Sequence, residues 1–188
     1  MSRRDGGEAY PLSPLQQGML VQALLAPDAG VDIEQLVFTL REPLHVDAMR
    51  EAFRRLSEHH PVLRTAFRWE GLEAPQQLVS PHVELPFRHE SFIGQPPAAI
   101  EAALARHLRD DRRLGFALDR PPLQRVAVFT LGERDHRLIW TFHHLLLDGW
   151  SLPIVLDEVF PVGRERLFDR AEVLLDVLPG RGERLVDR

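Results

Sequence analysis

Hydrophobic positions along the chain switch repeatedly between a period near two and a period near three and a half, so strands and helices alternate. A helix is predicted from Ser13 to Leu25, with Ser13 as N-cap and Pro14 at its first position; Leu15, Met19 and Val21 or Gln22 fall near one face, broadened by Leu20, Leu24 and Leu25. Residues 31–40 read as a strand, Ile33, Gln35, Val37 and Thr39 on one face and Leu36, Phe38 and Leu40 on the other. Asp47 caps a helix running to about His60 whose Ala48, Met49, Ala52, Phe53 and Leu56 make an apolar stripe. Pro61 ends it, and residues 62–69 return as a strand. Short strands at 76–79 and 84–88 sit among prolines, which places them at sheet edges.

Pro96 and Pro97 open a helix to about Asp111, with Ile100, Ala103, Leu104, His107 and Leu108 inward. A Pro-Pro turn at 121–122 feeds a strand through Phe129, and a tight turn at 132–135 leads into a strand ending at His143. A short helix follows from Leu152 to about Phe160, and Ser151 is its expected N-cap. The prediction is an α/β protein, strands and helices layered around one sheet. Residues 1–9 are expected to be a disordered leader. Residues 161–188 form an Arg/Glu/Asp-rich tail with one helical stripe of Leu167, Phe168, Ala171, Leu174, Leu175 and Leu178.

Composition narrows the class. At 188 residues, 44% hydrophobic and 27% charged, the chain makes one good core of a globular protein. A net charge of -5 argues against nucleic acid and against a basic membrane patch. No apolar run approaches a membrane span, and the first residues lack the apolar segment of a secretory signal, so a cytoplasmic protein is expected. Cysteine is absent, which removes disulfides and thiol chemistry. Lysine and asparagine are absent too; both use A-rich codons, which points to a GC-rich coding sequence and carries no mechanism.

The chemistry concentrates at 140–151, Trp-Thr-Phe-His-His-Leu-Leu-Leu-Asp-Gly-Trp-Ser. A buried strand delivers two histidines to an Asp-Gly turn. Adjacent histidines on a strand point to opposite faces and no third or fourth ligand converges, so no metal is expected there. No Gly-x-Ser-x-Gly elbow supports a serine hydrolase. A histidine of near-neutral pKa, steadied by its neighbour, suits general-base or hydrogen-bonding work on an amine. His59 and His60 are a second pair, expected to cap a helix carboxyl end.

His143-His144-x-x-x-Asp148-Gly149 resembles the signature of the condensation domains of nonribosomal peptide synthetases, shared more loosely with chloramphenicol acetyltransferase. Two further segments carry the resemblance. Leu12-Ser-Pro-Leu-Gln-Gln-Gly-Met-Leu20 is similar to the family's first motif, and Ser57-Glu-His-His-Pro-Val-Leu-Arg-Thr-Ala-Phe67 to its second. The resemblance implies a chloramphenicol acetyltransferase-like fold with residues 10–160 as the N-terminal one of two lobes. It implies His144 as the catalytic residue; His143, Asp148, Gly149 and Arg64 as structural parts of the motif; and Ser13, Gln16 and Trp150 as channel-lining. Arg64 is expected to pair with a buried Asp148 and hold the histidine loop.

The implied reaction is amide bond formation between an acyl or peptidyl donor and an aminoacyl acceptor. Both are thioesters on the phosphopantetheine of carrier proteins, the domain having no cofactor of its own. The Asp-rich motif of heterocyclising relatives is missing, and Leu152-Pro153 follows Ser151 where epimerising relatives continue Trp-Arg. The family's second lobe has no counterpart after residue 160, so a truncation, a frameshift or a split protein with a partner chain would each give this picture. Two other functions stay open: a non-catalytic lobe that binds carrier or partner proteins, and a trimeric coenzyme A-dependent acyltransferase.

Overall fold

The computed structural model describes residues 8–26, 30 and 32–159, and the backbone of 174–175. Two sheets, where one was expected, carry the architecture. The larger has five strands, built on a long antiparallel hairpin of Gln124–Gly132 and Asp135–His143. Ile33–Leu40 pairs antiparallel with the second arm of the hairpin, in a register that sets Ile33 opposite His143 and Leu40 opposite His136. Phe87–Ser91 adds in parallel to the first arm, and Leu174–Leu175 lies against the outer edge of Ile33–Leu40. The smaller sheet sets Gln76–Val79 between Glu8–Pro11 and Thr65–Arg68. In chain order the strands are β1 (Glu8–Pro11), β2 (Ile33–Leu40), β3 (Thr65–Arg68), β4 (Gln76–Val79), β5 (Phe87–Ser91), β6 (Gln124–Gly132), β7 (Asp135–His143) and β8 (Leu174–Leu175). The helices are α1 (Pro14–Leu25), α2 (Val46–His59), α3 (Pro97–Leu114) and α4 (Ser151–Val159).

Both faces of the large sheet are covered, as the absence of clean polar alternation in β2 and β7 requires. One face packs Leu36, Phe38, Leu138, Trp140 and Phe142 against Phe53 and Leu56 of α2 and Val155, Leu156 and Val159 of α4. The other packs Ala127, Phe129 and Ile139 against Leu104 and Leu108 of α3. Several polar groups inside are paired, while Gln35 Oε1 and His136 Nε2 are left without a protein partner. Trp140 Nε1 donates to Gln124 Oε1 at 2.9 Å, and Gln124 Nε2 donates to Ser57 Oγ at 3.0 Å, which ties the hairpin to α2. Under α3, the Asp111 carboxylate accepts from Thr141 Oγ1 at 2.6 Å, from Gln35 Nε2 at 3.0 Å and from Arg125 Nε.

Several sequence expectations need correction. Residues 62–64 are not strand: Pro61–Arg64 is a 3-10 turn, and β3 begins at Thr65. The fixed φ of Pro61 favours that turn. Asp47 lies in the first turn of α2, and His45 holds the N-cap position. β4 is a central strand despite its flanking prolines, because β1 supplies an outer partner; Glu8 and Ala9, expected in a disordered leader, are strand residues. The strand expected at 84–88 runs from Phe87 to Ser91. The stripe on α1 buries only Leu20, while Leu15, Val21, Leu24 and Leu25 face outward. The helix expected around 167–178 falls mostly outside the described residues, and its two described members, Leu174 and Leu175, lie extended because the open edge of β2 offers them backbone partners.

Candidate active site

β7 ends at His143, and the chain then turns tightly enough for Leu146 N–H to donate to His143 O at 3.0 Å. Two neighbours clamp this turn through backbone. His143 N–H donates to Leu123 O at 3.0 Å, and His144 N–H to Asp32 O at 2.8 Å, extending the β2–β7 ladder one residue past its last pair. A third clamp comes from α1: Gln16 Nε2 donates to Leu145 O at 3.2 Å. Leu145, Leu146 and Leu147 are all buried, so the turn is anchored from below by hydrophobic contact.

The two imidazoles face different surroundings. His143 is buried, and its Nδ1 accepts from Leu145 N–H at 3.2 Å, so in the neutral ring its proton sits on Nε2. Burial, with the nearby His144 adding to it, lowers its pKa to about 4. His143 is neutral at physiological pH. His144 is half-buried, and its Nδ1 lies 2.8 Å from Leu147 O. A carbonyl can only accept, so Nδ1 carries the proton and Nε2 of the neutral ring keeps its lone pair.

Two carboxylates that sequence reasoning missed lie near His144. Asp32 follows in register opposite it, and Glu34 stands two residues further along β2 on the same face. Burial pushes both carboxyls above their ordinary range, and the charge of His144 works against that rise in each. The signal was present in the sequence as a single acid inside the apolar run of β2. Only the register connects it with the histidine. Behind the turn, a cleft of about 210 Å³ is lined by His143, Asp32, Trp69, Phe116, Leu24 and Arg112 among others.

The remaining motif residues are placed differently from expectation. Asp148 is exposed and does not meet Arg64. Its Oδ1 accepts from Ser151 Oγ at 2.7 Å, Ser151 N at 2.8 Å and Trp150 N at 3.1 Å, so Asp148, not Ser151, caps α4. The Ser151 bonds lead in holding its carboxyl below the ordinary value. Arg64 turns instead to backbone oxygens: Ser57 O at 2.9 Å, Pro81 O at 3.3 Å, Glu58 O at 3.4 Å, and Ser80 O. The physical reason is local supply. The last turn of α2 presents carbonyls without helical partners, and the start of α4 presents donors to Asp148. Gly149 is not at positive φ, and a Cβ there would meet nothing within 4 Å, so the Asp148 carboxylate shapes this turn rather than glycine's conformational freedom.

Of the residues expected to line a channel, Gln16 reaches the histidine loop. Ser13 is the N-cap of α1, in a reciprocal capping box with Gln16. Trp150 projects from the turn with 89% of its surface exposed.

An α/β lobe that presents a clamped histidine of fixed tautomer at the mouth of its central sheet has the fold of the chloramphenicol acetyltransferase-like acyltransferases. The Condensation domain family model matches residues 7–164, and the chain belongs to that family. It is 33% identical over 157 residues to gramicidin S synthase 2 of Brevibacillus brevis, covering 82% of this chain and 4% of that protein. With bacitracin synthase 1 of Bacillus licheniformis the identity is 33% over 151 residues, covering 80% of this chain and 3% of the relative. The first condensation domain of the CDA synthetase superposes with a TM-score of 0.72 at 21% identity, over 81% of this chain and 38% of that one. The starter condensation domain of rhizomide synthetase RzmA gives 0.71 at 19% identity, over 81% and 38%. The chain thus spans a few hundredths of the length of these curated relatives and just over a third of these solved structures. No helix among the described residues is long and apolar enough to cross a membrane.

Proposed function

We propose that this lobe forms one wall of a site that makes amide bonds, passing an acyl or peptidyl group from a carrier-bound thioester to the amine of a carrier-bound aminoacyl thioester. The observation that carries the reading is the Nδ1–Leu147 O hydrogen bond at 2.8 Å, which leaves His144 Nε2 as the acceptor. In the step proposed, the amine nitrogen attacks the thioester carbonyl, the C–N bond forms and the C–S bond breaks. His144 Nε2 takes the proton leaving nitrogen and returns it to the departing thiolate. The thioester is already activated, so orientation of the amine supplies much of the rate. His143, Asp148, Gly149 and Arg64 act as scaffold, and Gln16 and Trp150 border the channel. The partners are peptidyl and aminoacyl carrier proteins, whose phosphopantetheine brings both substrates.

The uncovered Trp150, together with the outward apolar residues of α1, favours a second wall packed over them. The test mixes the full chain with donor- and aminoacyl-loaded carrier proteins, with and without a separately produced second lobe, and follows the amide product by mass spectrometry. His144→Ala is expected to lose product by about 100-fold or more while its circular dichroism is unchanged. Product formation at the parent rate in that variant would remove His144 from the chemistry. Carrier binding without turnover in every arm would make this a binding lobe. A trimer by light scattering, with turnover of coenzyme A thioesters, would point to the acetyltransferase-like reading.

A further inference from the structure

The end of α2 and the last turn of α4 bring together ligating side chains that the proposed chemistry does not use. His59 closes α2, and His60 is its C-cap in extended conformation at φ -100 and ψ 105. That change of backbone direction lets two adjacent rings converge: their centroids are 4.9 Å apart and their planes 88° apart. His60 Nε2 lies 2.8 Å from Glu158 Oε2 across the gap between the helices. One ligand atom from each of His59, His60 and Glu158 lies within 4.8 Å of the other two. His59 and Glu158 border a cleft of about 520 Å³ between α2 and α4. Arg55, the cation in its lining, turns its Nε to Glu51 Oε1 at 2.8 Å, which offsets its charge.

We propose that His59, His60 and Glu158 form a divalent transition-metal site of the zinc class that fastens α4 to the end of α2. Two imidazoles and one carboxylate are a nitrogen–oxygen set that zinc takes at about 2.0–2.2 Å, with a water in the fourth position. Ligand atoms around such an ion stand about 3.4 Å apart. His60 and Glu158 need to open by a few tenths of an ångström and His59 to swing inward; the exposed His59 and Glu158 can do so by turning about χ angles, with the half-buried His60 held as the fixed member. Imidazole ligands argue against calcium and magnesium, which take oxygen. α4 begins three residues after Asp148, so an ion here would restrain the helix that follows the histidine turn.

The test titrates zinc ion alone into the full chain at neutral pH by calorimetry. One saturable equivalent is expected, together with a higher melting temperature as the ion selects the folded state. His60→Ala and the near-isosteric Glu158→Gln are each expected to weaken binding about tenfold or more, while His82→Ala, an exposed histidine elsewhere, leaves it unchanged. Cobalt(II) in place of zinc should show the visible absorption of a four-coordinate site in the parent, reduced in Glu158→Gln. No saturable binding would overturn the proposal. So would parental affinity in Glu158→Gln, which would reduce the site to a surface histidine pair. Equal weakening by His82→Ala would overturn it as well, since the ion would then have no defined seat.

Discussion

His143 and His144 are neighbours in sequence whose hydrogen bonds hold opposite tautomers. His143 is buried neutral, with a pKa of about 4 against an ordinary value of 6.5. The unfolded chain therefore binds more protons than the folded one between those values. Stability from this group is complete above pH 6.5 and is lost as pH falls towards 4, by about 3 kcal/mol in all. Urea denaturation at intervals from pH 7 to 4.5 should show this slope in the parent and a shallower one in His143→Gln. Equal slopes would mean that His143 is not titrating from a buried neutral state. A second residue-level expectation concerns Asp148. Replacing it by Ala removes the cap of α4 and should cost about 1 kcal/mol; a melting temperature equal to the parent's would show that the cap contributes nothing.

Among the elements, the hairpin, α1 with its cap, α2 and the inward face of α3 were legible from period, prolines and capping residues. Those signals are local, and they survive in the fold. What could not be read was partnership. Arg64 in an apolar run looked like the mate of a buried acid, yet nothing local says that α2 ends beside it with open carbonyls. The central place of β4 depends on β1, a strand too short and polar to announce itself, and Glu34 acquires meaning only from the β2–β7 register. The histidine motif itself was plain, whereas the acids around it were not. Arg64→Ala should therefore destabilise by about 1–3 kcal/mol through unpaired carbonyls, and it should do so equally in an Asp148→Ala background. A double-mutant cycle with a coupling energy above about 0.5 kcal/mol would restore the direct pair.

At the scale of the whole molecule, the site depends on strands from opposite ends of the described chain. The His144 amide is held by Asp32 O, and β2 pairs with β7 across about a hundred residues of intervening chain. Local opening at the site should thus approach global unfolding in cost. Native-state hydrogen exchange is expected to protect the His144 amide nearly as well as the Trp140 amide in the centre of β7. Arg64→Ala should lower both by the same amount. Fast exchange at His144 alone would show a turn that opens independently of the sheet.

Trp150 turns the same architecture into an optical instrument. The chain has three tryptophans: Trp140 is sealed in the core, Trp69 is half-buried, and Trp150 stands 89% exposed, six residues after His144. An indole in water emits at longer wavelength than one in an apolar setting, so the red edge of the emission belongs chiefly to Trp150 and disappears in Trp150→Phe. On the proposed function, a second lobe or a carrier protein that closes over the histidine turn is expected to strip water from that ring. The resulting blue shift would time the closing of the site without any need for turnover.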